Sequence, residues 1–349
     1  MRPLFFIALY MLAIAASAQQ IKRLERLQLE SQVLRDNLLH INNARTVNVY
    51  LPPGYETSNR SYPVVYYFHN LLFTADRLVT ETPILQLIDR ATEKHVVDGF
   101  ILVAADFSSP AMGSFYENSR TSGRWLDFIS EELVPFVDKR FRTIRHRDAR
   151  AAVGDFMGAR GALKLGMSYA NLFGVVYAMH PVATGTGYLP WSTLEVDWNA
   201  IATASSFAEL AGKGRTQIFV AICQAFLPNS MRPPFYCDYF FDTSQQPPVL
   251  NPSRILDAKK GFHLEETLVE SIKNLQSLKG LAFDWGRFDP TQDHIYSNQA
   301  FSRKLTDLGI AHEAEEYNGG PSDKTWTNDG RFYSRVLPFL QSHLMFTER

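Results

Sequence analysis

The sequence predicts an α/β domain with a doubly wound, mostly parallel sheet of about eight strands and helices on both faces. Short β-branched and aromatic runs alternate along the chain with helical patterns, which is typical of this architecture. Two of the runs, Val64–Phe68 and Phe100–Ala105, are apolar at every position. A strand of a parallel sheet needs apolar residues on both faces, because helices cover both.

The composition favours an ordinary globular protein. The chain has 349 residues, of which 46% are hydrophobic and 20% are charged. These values exclude disordered, collagen-like and coiled-coil classes. Lys and Arg number 35 against 36 Asp and Glu, a formal net charge of −1. A chain so balanced has no basic field for nucleic acid or anionic lipid, and we expect no nucleic-acid partner.

The first eighteen residues have the pattern of a secretory signal peptide. Arg2 precedes an apolar run, Leu4–Ala16, and the small residues up to Ala18 form a cleavage site. The run is short for a membrane anchor, and no later stretch could span a bilayer after cleavage. We therefore expect cleavage after Ala18 and a secreted or periplasmic single domain over residues 19–349.

The elements follow in order. A polar helix is predicted over Ile21–Leu34. The predicted strands are Thr46–Leu51, Val64–His69, Phe100–Phe107, Ala151–Gly154, Phe173–Ala178, Gln217–Ala221, Gly280–Asp284 and His312–Tyr317. The helices predicted between them are Arg77–Glu93, Gly123–Phe136, Ala159–Tyr169 and Asn298–Leu308.

One stretch, residues 225–261, interrupts the alternation with six prolines and several aromatic residues. Such an excursion within an α/β chain is typical of an ordered loop over the carboxyl edge of the sheet, so we interpret it as a cap above a pocket. The alternative is a packed surface excursion without a ligand. Cys223 and Cys237 flank its first part and are predicted either to form a disulfide or to remain two buried thiols.

The most informative segment is Arg150–Leu163. An apolar strand enters a turn bracketed by Gly154 and Gly158 and then continues as a helix. This is the context of a nucleophile elbow, in which a serine stands midway between the glycines. Here the central residue is Phe156, which has no lone pair and cannot form an acyl intermediate.

Several segments together with this elbow resemble the putative esterase family, which includes feruloyl esterases, S-formylglutathione hydrolases and mycobacterial mycolyltransferases. The resemblance runs from about Leu34 to Phe346. The segments that carry it are Val47–Tyr55, Tyr62–His69, Tyr116–Ser119, Glu132–Asp138, Phe283–Asp289, Gly309–Glu313 and Tyr317–Gly320. The resemblance implies an α/β-hydrolase fold, with Asp289 at the position of the catalytic acid.

The chain departs from this family at the positions that perform its chemistry. Phe156 replaces the serine, Pro321 replaces the histidine, and Asn70 replaces a glycine of the oxyanion loop. An acid alone cannot act, since its role is to orient an imidazole. We therefore expect a non-catalytic pseudoenzyme that retains a ligand site. The alternative is a carboxylic-ester hydrolase acting on acyl, feruloyl or acetyl esters through relocated residues.

Few other residues could take over the chemistry of the missing serine and histidine. Asp155 could act as a carboxylate nucleophile only if it faced the pocket, although a residue before the apex should point away. Histidines near the site are more often structural than catalytic; those considered are His69, His180 and His294. His263, Glu265 and Glu266 lack the spacing of a metal site, and no nucleotide-binding loop is present, so neither metal nor cofactor is expected.

We expect Phe156 to fill the old site and leave an aromatic-lined hollow for a carbohydrate or acyl ligand. The residues expected to contact that ligand are His69, Asn70, Met157, Phe235, Tyr236, Tyr239 and Trp285. The alternative is that these aromatic residues only pack the cap onto the sheet.

Overall fold

The computed structural model describes residues 23–186, 195–245 and 247–347. The predicted signal peptide and its cleavage site at Ala18 lie outside the described residues. Within the described ranges, no helix combines the length and apolarity needed to cross a membrane.

The centre of the molecule is an eight-stranded sheet in the order β1-β2-β4-β3-β5-β6-β7-β8. Its strands are β1 (Leu24–Glu30), β2 (Ala44–Tyr50), β3 (Val64–Phe68), β4 (Ile101–Ala105), β5 (Arg150–Asp155), β6 (Val175–Met179), β7 (Gly280–Gly286) and β8 (Glu313–Tyr317). β2 pairs antiparallel with both β1 and β4, and all other pairs are parallel. The prediction of a mostly parallel sheet is confirmed.

Helices cover both faces of this sheet. The main ones are α1 (Ala75–Glu81), α2 (Ile84–Glu93), α3 (Val134–Arg140), α4 (Met157–Ser168), α5 (Trp198–Thr203), α6 (Arg215–Phe226), α7 (Pro252–Phe262), α8 (Ile272–Gln276), α9 (Gln292–Asp307) and α10 (Leu337–His343). Shorter helical pieces are Trp125–Asp127, Phe128–Leu133, Arg147–Ala149, Phe207–Leu210, Leu264–Thr267, Val269–Ser271 and Phe332–Val336.

The apolar runs of the sequence bury both faces of the central strands. In β3, Val64 and Tyr66 join the core beneath α4, α6 and α9, whereas Val65 and Tyr67 join the core beneath α1, α2 and α10. This division follows from the alternation of side chains along a strand. It explains why these runs contain no polar position.

Two predicted elements are wrong. Residues 24–30, expected within a helix, form the edge strand β1, where Gln28 bonds Thr46 across the pair and Arg26 bonds Asp76 of α1. Gln217–Ala221, expected as a strand, lies inside α6, which is buried on several sides and therefore lacks a polar stripe. A short apolar run cannot be assigned to strand or helix by periodicity alone.

Two predicted helices have different boundaries in the structure. The single helix expected over Arg77–Glu93 is divided into α1 and α2, because Pro83 removes a backbone donor and restricts the residue before it. The helix expected over Gly123–Phe136 begins at Trp125 and extends through α3 to Arg140.

The predicted cap segment, residues 225–261, leaves the end of α6 and returns through α7. Between them, Phe241–Asp242 pairs with Val249–Leu250 as a short antiparallel ladder. Three residues of this segment have buried side chains, namely Phe235, Cys237 and Phe240. Both cysteines are free buried thiols in this structure, and burial raises their pKa.

Candidate functional site

The elbow is present as a structural feature. β5 ends at Asp155, α4 begins at Met157, and Phe156 between them has φ +50° and ψ −113°. A non-glycine residue with positive φ is strained and is held there only by its surroundings. A Cβ at Gly158 would lie 1.9 Å from the carbonyl oxygen of Phe68, and one at Gly154 would lie 2.4 Å from that of Gly158. The two glycines therefore allow the close approach that holds Phe156 at the apex.

Asp289, the predicted acid, lies in the loop after β7 and is 6% exposed. Its Oδ2 accepts hydrogen bonds from His180 Nε2 at 2.7 Å and from His294 Nδ1 at 2.8 Å. Its Oδ1 accepts a third from the backbone N–H of Thr291 at 2.7 Å. Burial alone would raise the pKa of this carboxyl, but these bonds outweigh burial and hold the pKa well below its usual range. Asp289 is therefore a fixed carboxylate.

His180 lies directly after β6 and is 1% exposed. Its Nδ1 accepts the backbone N–H of Gly286 at 3.0 Å, so in the neutral ring the proton resides on Nε2 and is donated to Asp289. The His180 ring lies 5.1 Å from the ring of Phe156. His180 thus connects the acid to the apex of the elbow, rather than only packing locally.

His294 belongs to the first turn of α9 and forms part of a cavity wall. Because the carboxylate of Asp289 can only accept, His294 Nδ1 carries a proton, and Nε2 on the other side of the ring has a lone pair. This is the acid–imidazole relation of a catalytic triad. The histidine comes from α9, five positions after the acid in sequence, instead of from the loop after β8.

The loop after β8 contains Pro321, at the position where the resemblance places the catalytic histidine. The hydroxyl of Tyr317 donates to the Pro321 carbonyl at 2.8 Å. Proline has no side-chain group that could accept or return a proton. The neighbouring Ser322 lines the same cavity as His294.

A cavity of about 480 Å³ opens above the elbow. Most of its walls are apolar, and three of the six polar lining residues come from the start of α9. The lining residues are Asn70, Leu71, Leu72, Phe73, Met112, Phe115, Phe156, Met157, Val182, Ala183, Gly185, Ile218, Ile222, Phe262, His263, Asp293, His294, Ser297 and Ser322. A cavity of this size and character can hold a small molecule.

The expected ligand contacts near the elbow divide into two groups. Asn70 and Met157 line the cavity, but His69 does not. His69 is 2% exposed; its Nε2 accepts the backbone N–H of Phe107 at 2.9 Å, and its Nδ1 bonds the carbonyl of Asn70 at 2.8 Å. The Nε2 bond connects the loops after β3 and β4, and the Nδ1 bond lies within the loop after β3, so both ring nitrogens have structural partners.

Asp155 is not positioned as a nucleophile. Its carboxylate accepts from Asn70 Nδ2 at 2.5 Å and from the hydroxyl of Tyr67 at 3.1 Å. Burial raises its pKa, although these bonds act in the opposite direction. Asn70, which also accepts the N–H of Leu72 at 2.9 Å, is thereby fixed at the base of the cavity.

The aromatic contacts expected from the cap are corrected by the structure. Phe235 and Tyr239 line a separate depression of about 580 Å³ with Trp198, and Tyr236 lies in the same Pro-rich stretch. Trp285 stacks on Phe283 and donates to Glu316, away from the elbow. No described residue of the predicted cap segment, 225–261, lines the cavity. The nearby lining residues are Ile218 and Ile222 of α6, before this segment, and Phe262 at the end of α7, after it.

A buried arginine fixes these helices over the elbow. Arg160 of α4 is fully buried and donates to the carbonyls of Phe115, Gly261 and Phe262 at 2.7–3.0 Å. Its charge is paired with Glu117 at 3.3 Å. The cavity walls are therefore connected directly to the elbow helix.

Two groups of side chains have the composition of metal ligands, namely His180, Asp289 and His294, and His263, Glu265 and Glu266. In the first, the proton on His180 Nε2 leaves no lone pair for an ion while Gly286 occupies Nδ1. In the second, Glu265 is paired with Lys304 and accepts the N–H of Thr186. These bonds occupy both ring nitrogens of His180 and the carboxylate of Glu265.

Comparison with known proteins identifies the class. Residues 40–233, more than half of the chain, match the family described as Putative esterase. The chain therefore belongs to this family, and its sheet and helices are those of the α/β-hydrolase fold.

Individual relatives are more distant. The chain is 34% identical over 128 residues to Esterase Rv1288 of Mycobacterium tuberculosis, covering 36% of this chain and 27% of that esterase. It is 22% identical over 143 residues to the uncharacterized protein YjcH of Bacillus subtilis, covering 40% and 57% respectively. The match thus spans only about a quarter of the length of the mycobacterial esterase.

Solved structures agree in fold. A ferulic acid esterase matches over 91% of this chain and 97% of its own, with a TM-score of 0.60 and 19% identity. An S-formylglutathione hydrolase from Agrobacterium tumefaciens matches over 92% and 95%, with a TM-score of 0.57 and 14% identity. Likeness at these identities establishes the architecture rather than the chemistry.

Proposed function

We propose that this chain is a pseudoenzyme of the esterase family that binds a small acyl-bearing or carbohydrate ligand in the cavity above the elbow. The observation that carries the proposal is Phe156 at the apex of an otherwise intact elbow, with its ring in the cavity wall. An acyl-enzyme needs an oxygen or sulfur nucleophile at that point. The site therefore supports binding without the serine route.

The base position supports the same proposal. Pro321 cannot exchange a proton, and the hydroxyl of Thr186 lies 3.5 Å from Nδ1 of the cavity histidine His263. That separation exceeds the reach of a nucleophile–base pair. Loss of both nucleophile and base, with retention of the cavity, favours a ligand-binding role.

Binding is tested with Nile red, a neutral fluorescent probe for apolar cavities. Ile218, which lines the cavity and is 41% exposed, is replaced by tryptophan to fill the mouth. The matched control is Leu256→Trp, an exposed position of α7 outside the lining. We expect probe binding that Ile218→Trp weakens by about tenfold and the control leaves unchanged. Absence of binding, or equal binding by all three proteins, would overturn the proposal.

A second candidate function is ester hydrolysis through relocated residues, favoured by the His294–Asp289 pair. In this route His294 Nε2 removes a proton from water as the water oxygen bonds to the ester carbonyl carbon. The bond to the leaving alkoxide then breaks, and His294 returns the proton to that oxygen. No acyl-enzyme forms, so this route needs no nucleophilic side chain at position 156.

The two functions are separated by hydrolysis of p-nitrophenyl butyrate by the purified chain. Turnover that falls about a hundredfold in both His294→Gln and Asp289→Ala would support hydrolysis. His312→Gln is the matched control, because His312 bonds Ser302 and Ile310 away from the cavity. Probe binding without turnover would support the pseudoenzyme. Turnover that survives both substitutions would exclude this pair as its source.

We also propose export, which rests on residues 1–18 of the sequence alone. Expression with the native start should yield a protein whose N-terminus is Gln19, determined by intact mass. Retention of Met1 in the folded protein would contradict a cleaved signal peptide.

A further inference from the structure

The cavity has distinct polar and apolar surfaces. Asp293, His294 and Ser297 all lie within the first two turns of α9, so their side chains are neighbours. Ser322 adds a hydroxyl from the loop after β8. The lining from the loop after β3, α6 and α7 is mostly apolar. A ligand that matches this division has one polar end and one apolar end.

The hydrogen-bond polarity of His294 restricts the polar end. Its Nδ1–H is donated to the Asp289 carboxylate at 2.8 Å, so in the neutral ring Nε2 presents a lone pair. That carboxylate stays ionised because it also accepts from His180 and Thr291. The partner of His294 must therefore donate a hydrogen bond, as a hydroxyl does.

The charges around the cavity disfavour an anionic ligand. Among the described residues that line it there is neither lysine nor arginine, whereas Asp293 is part of the wall. Asp289 lies directly behind His294 and would neutralise that ring if it gained a proton. Burial lowers the pKa of His263 to about 4, so this second imidazole is neutral at pH 7. A buried carboxylate would find neither lysine nor arginine among the described lining residues to offset its desolvation cost.

The mouth of the cavity is apolar. Leu72 is 71% exposed and Ile218 is 41% exposed, and both belong to the lining. Large apolar side chains at the entrance of an apolar cavity provide a path for a hydrocarbon chain. The tail of the ligand can therefore extend past them toward the surface.

We infer that the ligand is a neutral amphiphile, a single acyl chain whose head group carries hydroxyls that donate to His294. This inference rests on the proposed binding function and names its ligand class. It excludes the free carboxylic acid as the preferred occupant.

The test compares three molecules with the same eight-carbon chain, measured by displacement of Nile red at pH 8. They are monooctanoylglycerol, methyl octanoate and octanoate. We expect monooctanoylglycerol to bind about fivefold more tightly than methyl octanoate, because only the former donates to His294. Octanoate should bind at least about tenfold more weakly than monooctanoylglycerol.

His294→Leu should remove the difference in affinity between monooctanoylglycerol and methyl octanoate, each measured by displacement from that variant's own complex with Nile red. His294→Gln has an amide oxygen that can accept a hydrogen bond, so it should retain part of this difference in affinity. That result would show that the effect of His294→Leu does not come from a loss of folding. The control His312→Leu should keep the full preference.

The outcomes separate the two proposals. Nile red binding with equal affinity for the three molecules, or with octanoate the tightest, would overturn the ligand class and leave the binding function standing. Failure of Nile red to bind would remove both.

Discussion

At the scale of single residues, Phe156 shows how a site can lose its chemistry without losing its geometry. The positive φ costs of the order of 1–3 kcal/mol and persists because Gly154, Gly158 and the strand beneath leave the chain no other path. The ring then occupies the apex and contacts His180. The strain comes from the fold rather than from the residue, so a different side chain at 156 should be held in the same place.

This predicts that the serine route can be rebuilt. The double substitution Phe156→Ser and Pro321→His should raise p-nitrophenyl butyrate hydrolysis by about tenfold or more, because it supplies a nucleophile and a base beside the existing acid. The rebuilt serine should also form a covalent adduct with a fluorophosphonate, measured by intact mass. Phe156→Ala with Pro321→His is the control and should do neither. A folded double variant without an adduct would show that the apex no longer presents its side chain correctly.

Asp289 carries a stability prediction with a pH signature. Asp289→Ala leaves the buried Nε2–H of His180 without its acceptor, so unfolding free energy should fall by about 3 kcal/mol at pH 7. The folded pKa of Asp289 lies below the unfolded value near 3.9. Its stabilising effect is therefore complete above pH 5 and is lost as pH falls below about 4.

The measurement is urea unfolding of the wild type and of Asp289→Ala at pH 7, 5 and 3.5. The difference in unfolding free energy between the two proteins should be smallest at pH 3.5. Glu270→Ala, an exposed carboxylate, should change stability by less than about 0.5 kcal/mol. A difference that stays constant with pH would place the contribution of Asp289 in packing rather than in charge.

At the scale of elements, the sequence pattern predicted the strands and the turn whose formation depends on residues close together in the chain. β3, β4 and the elbow follow from runs buried on both faces and from glycines that allow close approach. β1 was missed because an edge strand with alternating charges also fits a polar helix, and only pairing with β2 decides. The pairing of His180 with Asp289 joins residues 109 positions apart, a contact that no local pattern contains.

The junction between α4 and the cap predicts a local weakness. Arg160→Met should remove three hydrogen bonds to carbonyls and leave Glu117 with Lys164 as its remaining cation. We expect a loss of about 3 kcal/mol or more and faster proteolysis within residues 227–262, read by mass spectrometry. Arg303→Met, which breaks an exposed i,i+4 pair, is the control and should change stability by less than about 0.5 kcal/mol. Cleavage spread evenly along the chain would argue against a local role.

At the scale of the whole molecule, His263 and Asp106 both make stability rise with pH. The pKa of His263 falls to about 4 because burial disfavours its charged form. Asp106, near His69, is partly buried, yet bonds from His69 and Ser108 and the charge of Arg45 lower its pKa to about 2. Each of these two groups binds fewer protons folded than unfolded, so each contributes stability that rises with pH across the acid range. Asp155, whose pKa is raised by burial, contributes in the opposite direction.

Between pH 6.5 and 4, the pH dependence of stability comes mainly from His263. An unfolded histidine takes up a proton near pH 6.5, whereas the folded ring resists until about pH 4, a difference worth about 3 kcal/mol. The wild type should therefore lose stability as pH falls from 6.5 to 4, and His263→Gln should lose much less over the same interval. Urea unfolding at pH 7, 5.5 and 4 measures this, and parallel curves would contradict it. Because His263 lines the cavity, a neutral ligand that seals it from water should steepen the wild-type loss, and the variant should show no such change.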